Sequence, residues 1–171
     1  MIFSKDHTEE FEQAVFDLAG VLGFVGQRPE RDFRDGGPDV LWSVGALDYW
    51  VIECKSGSDH SSIPKRDADQ LSGAMVWFEG RYGQTATATP ILVHPLGEFD
   101  RLASFSPLTW VIEEEGLTAL RTALHGLARG IGSLHRMPTL TEMKDLFFGW
   151  KVNPETFLTK FAKVATRART N

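Results

Sequence analysis

Two short stretches carry residue types that can do chemistry together: Pro38-Asp39 and, fourteen residues on, Glu53-Cys54-Lys55. Alternate side chains of a strand share a face, so Glu53 and Lys55 project together with Tyr49 and Val51, while Trp50, Ile52 and Cys54 project towards the expected core. Residues 39–44 and 48–55 read as strands, and Gly45-Ala46-Leu47 between them is short enough for a hairpin. Closure through that three-residue loop sets residue 44 against 48 and Asp39 directly against Glu53. A two-residue turn instead pairs Asp39 with Ile52 and sends the carboxylates to opposite faces. Opposed carboxylates sit about 4.5–5.5 Å apart at Cβ and repel one another. That is poor structural design, but it suits a hard divalent cation, which takes oxygen ligands and can hold substrate phosphate as well. Lys55 could then steady the attacking water or the phosphate charge. The bland counterpart is a surface strand with a Glu53–Lys55 salt bridge. Glu142-Met143-Lys144 is a control, an acid-x-Lys triplet in a helical pattern with no aspartate paired to it.

The flanking segments supply the elements that must position these groups. Phe11, Ala14, Val15, Leu18 and Leu22 form one apolar stripe, predicting a helix over 6–22 that Gly23 ends. Phe24-Val25-Gly26 reads as a short strand, and the polar, patternless 28–37 as a loop. Pro64 opens a helix that runs to about Gly80 through Ala68, Leu71, Met75 and Phe78. Strands are expected at 89–94 and 109–112, and a helix through Leu117, Leu120, Leu124 and Leu127 to Gly130. Two shorter helices are expected over 139–148 and 154–168. The order is mixed α/β. The division expected is a main domain over 1–130 and a basic helical C-terminal extension, 131–171, packed on it.

A chain of 171 residues, 42% hydrophobic and 24% charged, has the composition of an ordinary globular domain. One cysteine excludes a disulfide framework and a zinc site built on cysteine pairs. The five histidines show no ligand spacing, and His94 reads as a structural histidine closing a strand. No nucleotide-binding Gly-rich loop and no G-x-S-x-G serine is present, which argues against an ATPase and against acyl transfer. No apolar run has a membrane helix's length, and Met1–Asp6 lacks a secretory signal's apolar core, so a cytoplasmic protein with no membrane partner is expected. The net charge of −5 hides an asymmetry: residues 121–171 hold nine Lys/Arg against three Asp/Glu. An acidic functional region beside a basic contact surface is one reading of that split, and a solvated helix pair the other.

The order of a helix carrying Phe11-Glu12, then Gly36-Gly37-Pro38-Asp39, then Glu53-Cys54-Lys55, then Gln70 on the next helix resembles the PD-(D/E)XK nuclease superfamily. Its Mrr-like restriction endonuclease branch is the nearest in appearance. The resemblance spans residues 9–94 and rests on short motifs. It implies a restriction-endonuclease-like α/β core, a mixed four-stranded sheet flanked by helices, and Mg2+- or Mn2+-dependent hydrolysis of DNA phosphodiesters in restriction, defence or repair. By that similarity Asp39, Glu53 and the carbonyl of Cys54 bind metal, Lys55 is catalytic and Gln70 supports the site. The helix acid falls to Glu12, on the border of the apolar stripe, in preference to Glu9 or Glu10. Lys160, Lys163, Arg167 and Arg169 are the candidate contacts to the DNA backbone. The acidic balance of the whole suggests that a homodimer, or a larger assembly with a helicase- or ATPase-type partner, supplies affinity. The rival expectation is a catalytically silent nuclease-fold module used for DNA binding or docking.

Overall fold

A computed structural model describes Phe3 and residues 7–169. In chain order the elements are α1 (Thr8–Val21), β1 (Val25–Gln27), α2 (Pro29–Phe33), β2 (Val40–Ser43), β3 (Asp48–Cys54), α3 (Lys65–Tyr82), β4 (Thr87–Val93), β5 (Glu98–Phe99), β6 (Trp110–Ile112), α4 (Glu114–Ser133), α5 (Leu140–Gly149), α6 (Pro154–Phe161), β7 (Lys163–Val164) and β8 (Thr166–Arg167). The expected start of the first helix, residue 6, and the N-terminal reading over Met1–Asp6, except Phe3, lie outside the described residues. No helix among the described residues is long and apolar enough to cross a membrane.

The architecture is α/β, with a mixed sheet between helical layers. The sheet has six strands in the order β1-β2-β3-β4-β6-β7, two more than the four of the expected core. β1, β2 and β3 run antiparallel, β3, β4 and β6 parallel, and β7 antiparallel again. β2, β3 and β4 carry nearly continuous apolar runs because both sheet faces are covered. Strand alternation divides the core cleanly. Val40, Trp42, Trp50, Ile52, Cys54, Ile91, Val93 and Ile112 meet α1, α4 and α6. Leu41, Val51, Leu92 and Val111 on the other face meet α3 and the segment through Ile63, Phe99 and Ala103.

Two expectations about secondary structure are corrected. Residues 28–37 are not all loop: Pro29 begins α2 at the first helical position, where its missing N–H costs nothing, and Arg34 in the left-handed region (φ 56°) ends it after little more than one turn. Such a short helix leaves no apolar period to read. The helix expected over 154–168 stops at Phe161, because Ala162 is extended (φ −129°, ψ 167°) and the chain turns to pair with the open edge of β6. An unpaired edge offers backbone donors and acceptors that override local helix preference.

Those pairings also change the standing of the C-terminal segment. Val152, Phe157 and Phe161 are buried in the same core as Trp42 and Trp50, with the Phe157 ring 5.0 Å from both Trp50 and Phe161. Residues 131–169 therefore complete the core and the sheet, beyond being packed on a finished domain. Phe157→Ala is expected to cost about 3–5 kcal/mol, as deletion of a buried ring does. In urea unfolding this appears as one cooperative transition with a lowered midpoint; an unmoved main transition would mean a separable extension.

Candidate functional site

The register of the β2–β3 hairpin settles where the acids meet. Val40 pairs with Ile52, Leu41 with Val51, Trp42 with Trp50 and Ser43 with Tyr49. One step further, Asp39 lies opposite Glu53, as the three-residue loop required and the two-residue turn did not. Asp39 Oδ2 accepts the Cys54 backbone N–H at 2.7 Å, which fixes the aspartate across the end of β3. A close approach brings it there: a Cβ on Gly37 would lie 2.7 Å from Pro29 Cβ and 3.0 Å from the Trp77 ring, so only glycine lets the chain pass into Pro38-Asp39.

Glu53 and Lys55 do project together, and Lys55 Nζ lies 3.7 Å from Glu53 Oε2. The pair is not the surface salt bridge of the bland reading, since Glu53 is 4% exposed and the Lys55 side chain 21%. Burial, then the Asp39 charge, push the Glu53 carboxyl up to about 9 against the opposing pull of Lys55. Burial alone would lower the Lys55 ammonium, but Asp39, Glu53 and Asp67 together hold it above the ordinary lysine value. Burial pushes the Cys54 thiol well up, as befits a small core side chain.

Glu30 is a site residue that the sequence reading missed. The residue is exposed, and its carboxyl is raised by partial burial and by a hydrogen bond to Asp39. The Glu30 N–H donates to Pro38 O at 3.1 Å, tying α2 to the residue before Asp39. Pro29, a usual first residue of helices, was the only signal.

Of the three helix acids, Glu12 faces inward. Burial and the nearby Asp39 charge raise it to about 7, against the pull of Arg28. Arg28 is 2% exposed, bonds Glu12 and also donates to Glu9 at 2.6 Å and Gln13 at 3.2 Å. Glu9 itself is 66% exposed, and Glu10 lies out in solvent with His7 3.7 Å from it. A buried arginine inside a polar loop leaves no periodic trace in a sequence, and it too was missed.

The remaining expected residues are less engaged. Gln70 is exposed on α3, one turn beyond the buried Asp67, and no described hydrogen bond brings it to the carboxyls. Lys160 and Arg169 are exposed with no described ion pair. Lys163 pairs with Glu113 at 3.1 Å and Glu115 at 3.6 Å. Arg167 donates to Ala103 O at 3.3 Å and stacks 5.0 Å over the Phe105 ring. Half of the basic set is thus already partnered. Lys163 does share a sheet row with Glu53, through Leu92 and Val111, at three strand spacings or about 14 Å.

Among the described residues, no three His, Cys, Asp or Glu side chains enclose a point as a metal cage does. Mg2+ usually takes only one or two carboxylates, with waters and substrate phosphates as its other ligands. Asp39 and Glu53 fit that demand: both are oxygen donors, and their repulsion in a dry site is what a cation relieves. No family model, curated protein or solved structure matches the chain.

The raised Glu53 carboxyl has a stability consequence. Between its ordinary 4.5 and about 9 the folded protein holds a proton that the unfolded chain has released, so stability falls as pH rises through this window. The slope is at most about 1.4 kcal/mol per pH unit for the one group. Thermal unfolding in EDTA should show Tm declining from pH 6 to 9 more steeply in wild type than in Glu53→Gln. Parallel profiles would show that Glu53 ionises freely.

Proposed function

We propose that this chain is a divalent-metal-dependent deoxyribonuclease of the PD-(D/E)XK type, hydrolysing DNA phosphodiesters in restriction, defence or repair. The observation that carries this reading is the buried, face-to-face Asp39–Glu53 pair with the Lys55 ammonium 3.7 Å from Glu53. Two opposed carboxyls lower stability, and a chain that retains them in a core gains something other than stability. Asp39 and Glu53, with the Cys54 carbonyl and Glu12 beside them, would hold Mg2+ or Mn2+. The cation supplies an activated water and neutralises charge on the scissile phosphate. Lys55 meets that same phosphate charge or orients the water, and its high affinity for a proton keeps it cationic for the task. Asp39 is kept in place by the Cys54 N–H, so its carboxylate needs no reorganisation on binding. Gln70 is assigned only a supporting part, from the exposed face of α3. DNA would lie towards the basic C-terminal segment, with a homodimer or a helicase- or ATPase-type partner adding affinity, in the cytoplasm.

The test is cleavage of supercoiled and linear DNA with Mg2+, Mn2+ or EDTA. Metal-dependent cutting is expected in wild type and a loss of about a hundredfold or more in Lys55→Ala and in Glu53→Ala. Absence of cutting, together with calorimetric Mn2+ titrations that are identical for wild type and Asp39→Ala, would leave the silent docking module in its place.

The free basic side chains give a second expectation. Affinity for DNA should fall steeply from 50 to 200 mM salt, and replacing Lys160 and Arg169 by Ala should flatten the log–log slope by about 1 for each cation removed from a phosphate. An unchanged slope would remove both residues from the interface.

A further inference from the structure

Two buried polar residues beside the carboxyl pair have no part in the reading above. Asp67 stands in the first turn of α3 at 3% exposure, and His94, directly after β4, is fully buried. The Leu96 N–H donates to His94 Nδ1 at 2.9 Å, which makes that nitrogen an acceptor and leaves the ring proton on Nε2. Nε2 lies 3.5 Å from Asp67 Oδ2, a long contact and the only polar neighbour described for it. Asp67 Oδ1 is met from the solvent side by Arg66 Nε at 3.2 Å.

The sheet register brings this pair to Lys55. β3 and β4 run in parallel with Cys54 against Val93, and the Lys55 N–H continues the ladder to Val93 O at 2.8 Å. The next step sets Lys55 beside His94. Strand alternation turns both towards α3, the face that Val51, Glu53 and Leu92 share. His94 is itself pinned by its N–H donating to Ile112 O at 3.0 Å. Asp67 approaches that face from the helix above and meets His94, the strand neighbour of Lys55, while the ion pair described for Lys55 is with Glu53 and none is described with Asp67. The Lys55 and Asp67 charges act on each other: burial works against the Asp67 carboxylate, yet the His94 contact and the Lys55 charge hold it below the ordinary aspartate value.

We propose that Asp67, oriented by His94, is a positioning residue for Lys55, holding its ammonium over the Asp39–Glu53 pair. A lysine side chain is long and rotates freely, and a single buried carboxyl 3.7 Å away leaves room for it to swing. The Asp67 carboxylate, brought near by His94, restricts that freedom. The part this plays in cleavage rests on the nuclease reading; the anchoring of Lys55 does not.

The test therefore has two readouts. In metal-free, 15N-labelled protein, the Lys55 side-chain ammonium should give a protected resonance at low temperature and mildly acid pH, identified by its loss in Lys55→Arg. It should vanish in Asp67→Asn, with Tm and Mn2+ affinity near those of wild type. In DNA cleavage the same variant should lower kcat by about ten- to a hundredfold, with KM for DNA unchanged. Should Asp67→Asn fold poorly, His94→Gln is read in the same way, since it frees the Asp67 carboxylate to turn aside. A Lys55 resonance that is missing in wild type, or that persists in both variants, overturns the proposal. A wild type that cuts no DNA, but whose Lys55 resonance depends on Asp67, overturns the nuclease reading and leaves the anchoring established.

Discussion

The pairing of β2 with β3 carries two opposed demands, and the rest of the molecule is arranged around satisfying both. On the side facing α1 and α6 it must present Val40, Trp42, Trp50, Ile52 and Cys54 to a dry aromatic core. On the side facing α3 it must bring Asp39 against Glu53 at the end of the strands. A shift of one residue would turn the tryptophans to the wrong face and separate the acids in the same stroke. The core therefore enforces the site. The energy that holds the register comes from apolar burial and from rings such as Phe24 and Phe157 packed on the two tryptophans, while the carboxyls themselves oppose it.

Charge around that pair is balanced from two directions. Lys55 answers Glu53 from the α3 side, and the buried Arg28 answers Glu12 from the α1 side. Arg28 binds three side chains of one helix, Glu9, Glu12 and Gln13, and so also clamps the chain entering α2 against α1. α2 in turn carries Glu30 to Asp39. The effect is a buried site with an excess of acid that two cations only partly neutralise, and burial first, then the neighbouring Asp39 charge, keep Glu12 and Glu53 protonated above the usual carboxylate range.

What was legible in the sequence was what repeats. The stripe of Phe11, Val15 and Leu18, the apolar runs of β2 to β4, and the loop of three residues between strands all follow from periods of 3.6 and 2. The Asp39–Glu53 opposition followed from counting through that loop. Arg28 and Asp67 were out of reach for a common reason: each acts through a contact between segments, and nothing in the neighbouring residues records it, while Glu30 had only the helix-starting Pro29 beside it to mark its place. The helix expected to continue past Phe161 ends early for the same reason, because the partner that unwinds it is the edge of β6, some fifty residues earlier in the chain.

The two acid-x-Lys triplets of the chain show how little the motif says without its setting. Glu142 lies in α5, where Arg136 first, then the Thr139 backbone and hydroxyl, hold its carboxyl down to about 2. It closes a capping box and is spent on starting a helix. Glu53 has the same spacing to its lysine, yet burial and an opposed aspartate drive its carboxyl in the other direction. One glutamate is a permanent anion with partners that suit it, the other a proton-holding group whose charge the protein alone does not accommodate. Only the second leaves room for a cation from outside, and that difference is made by strand register and by the layer of helix laid over it.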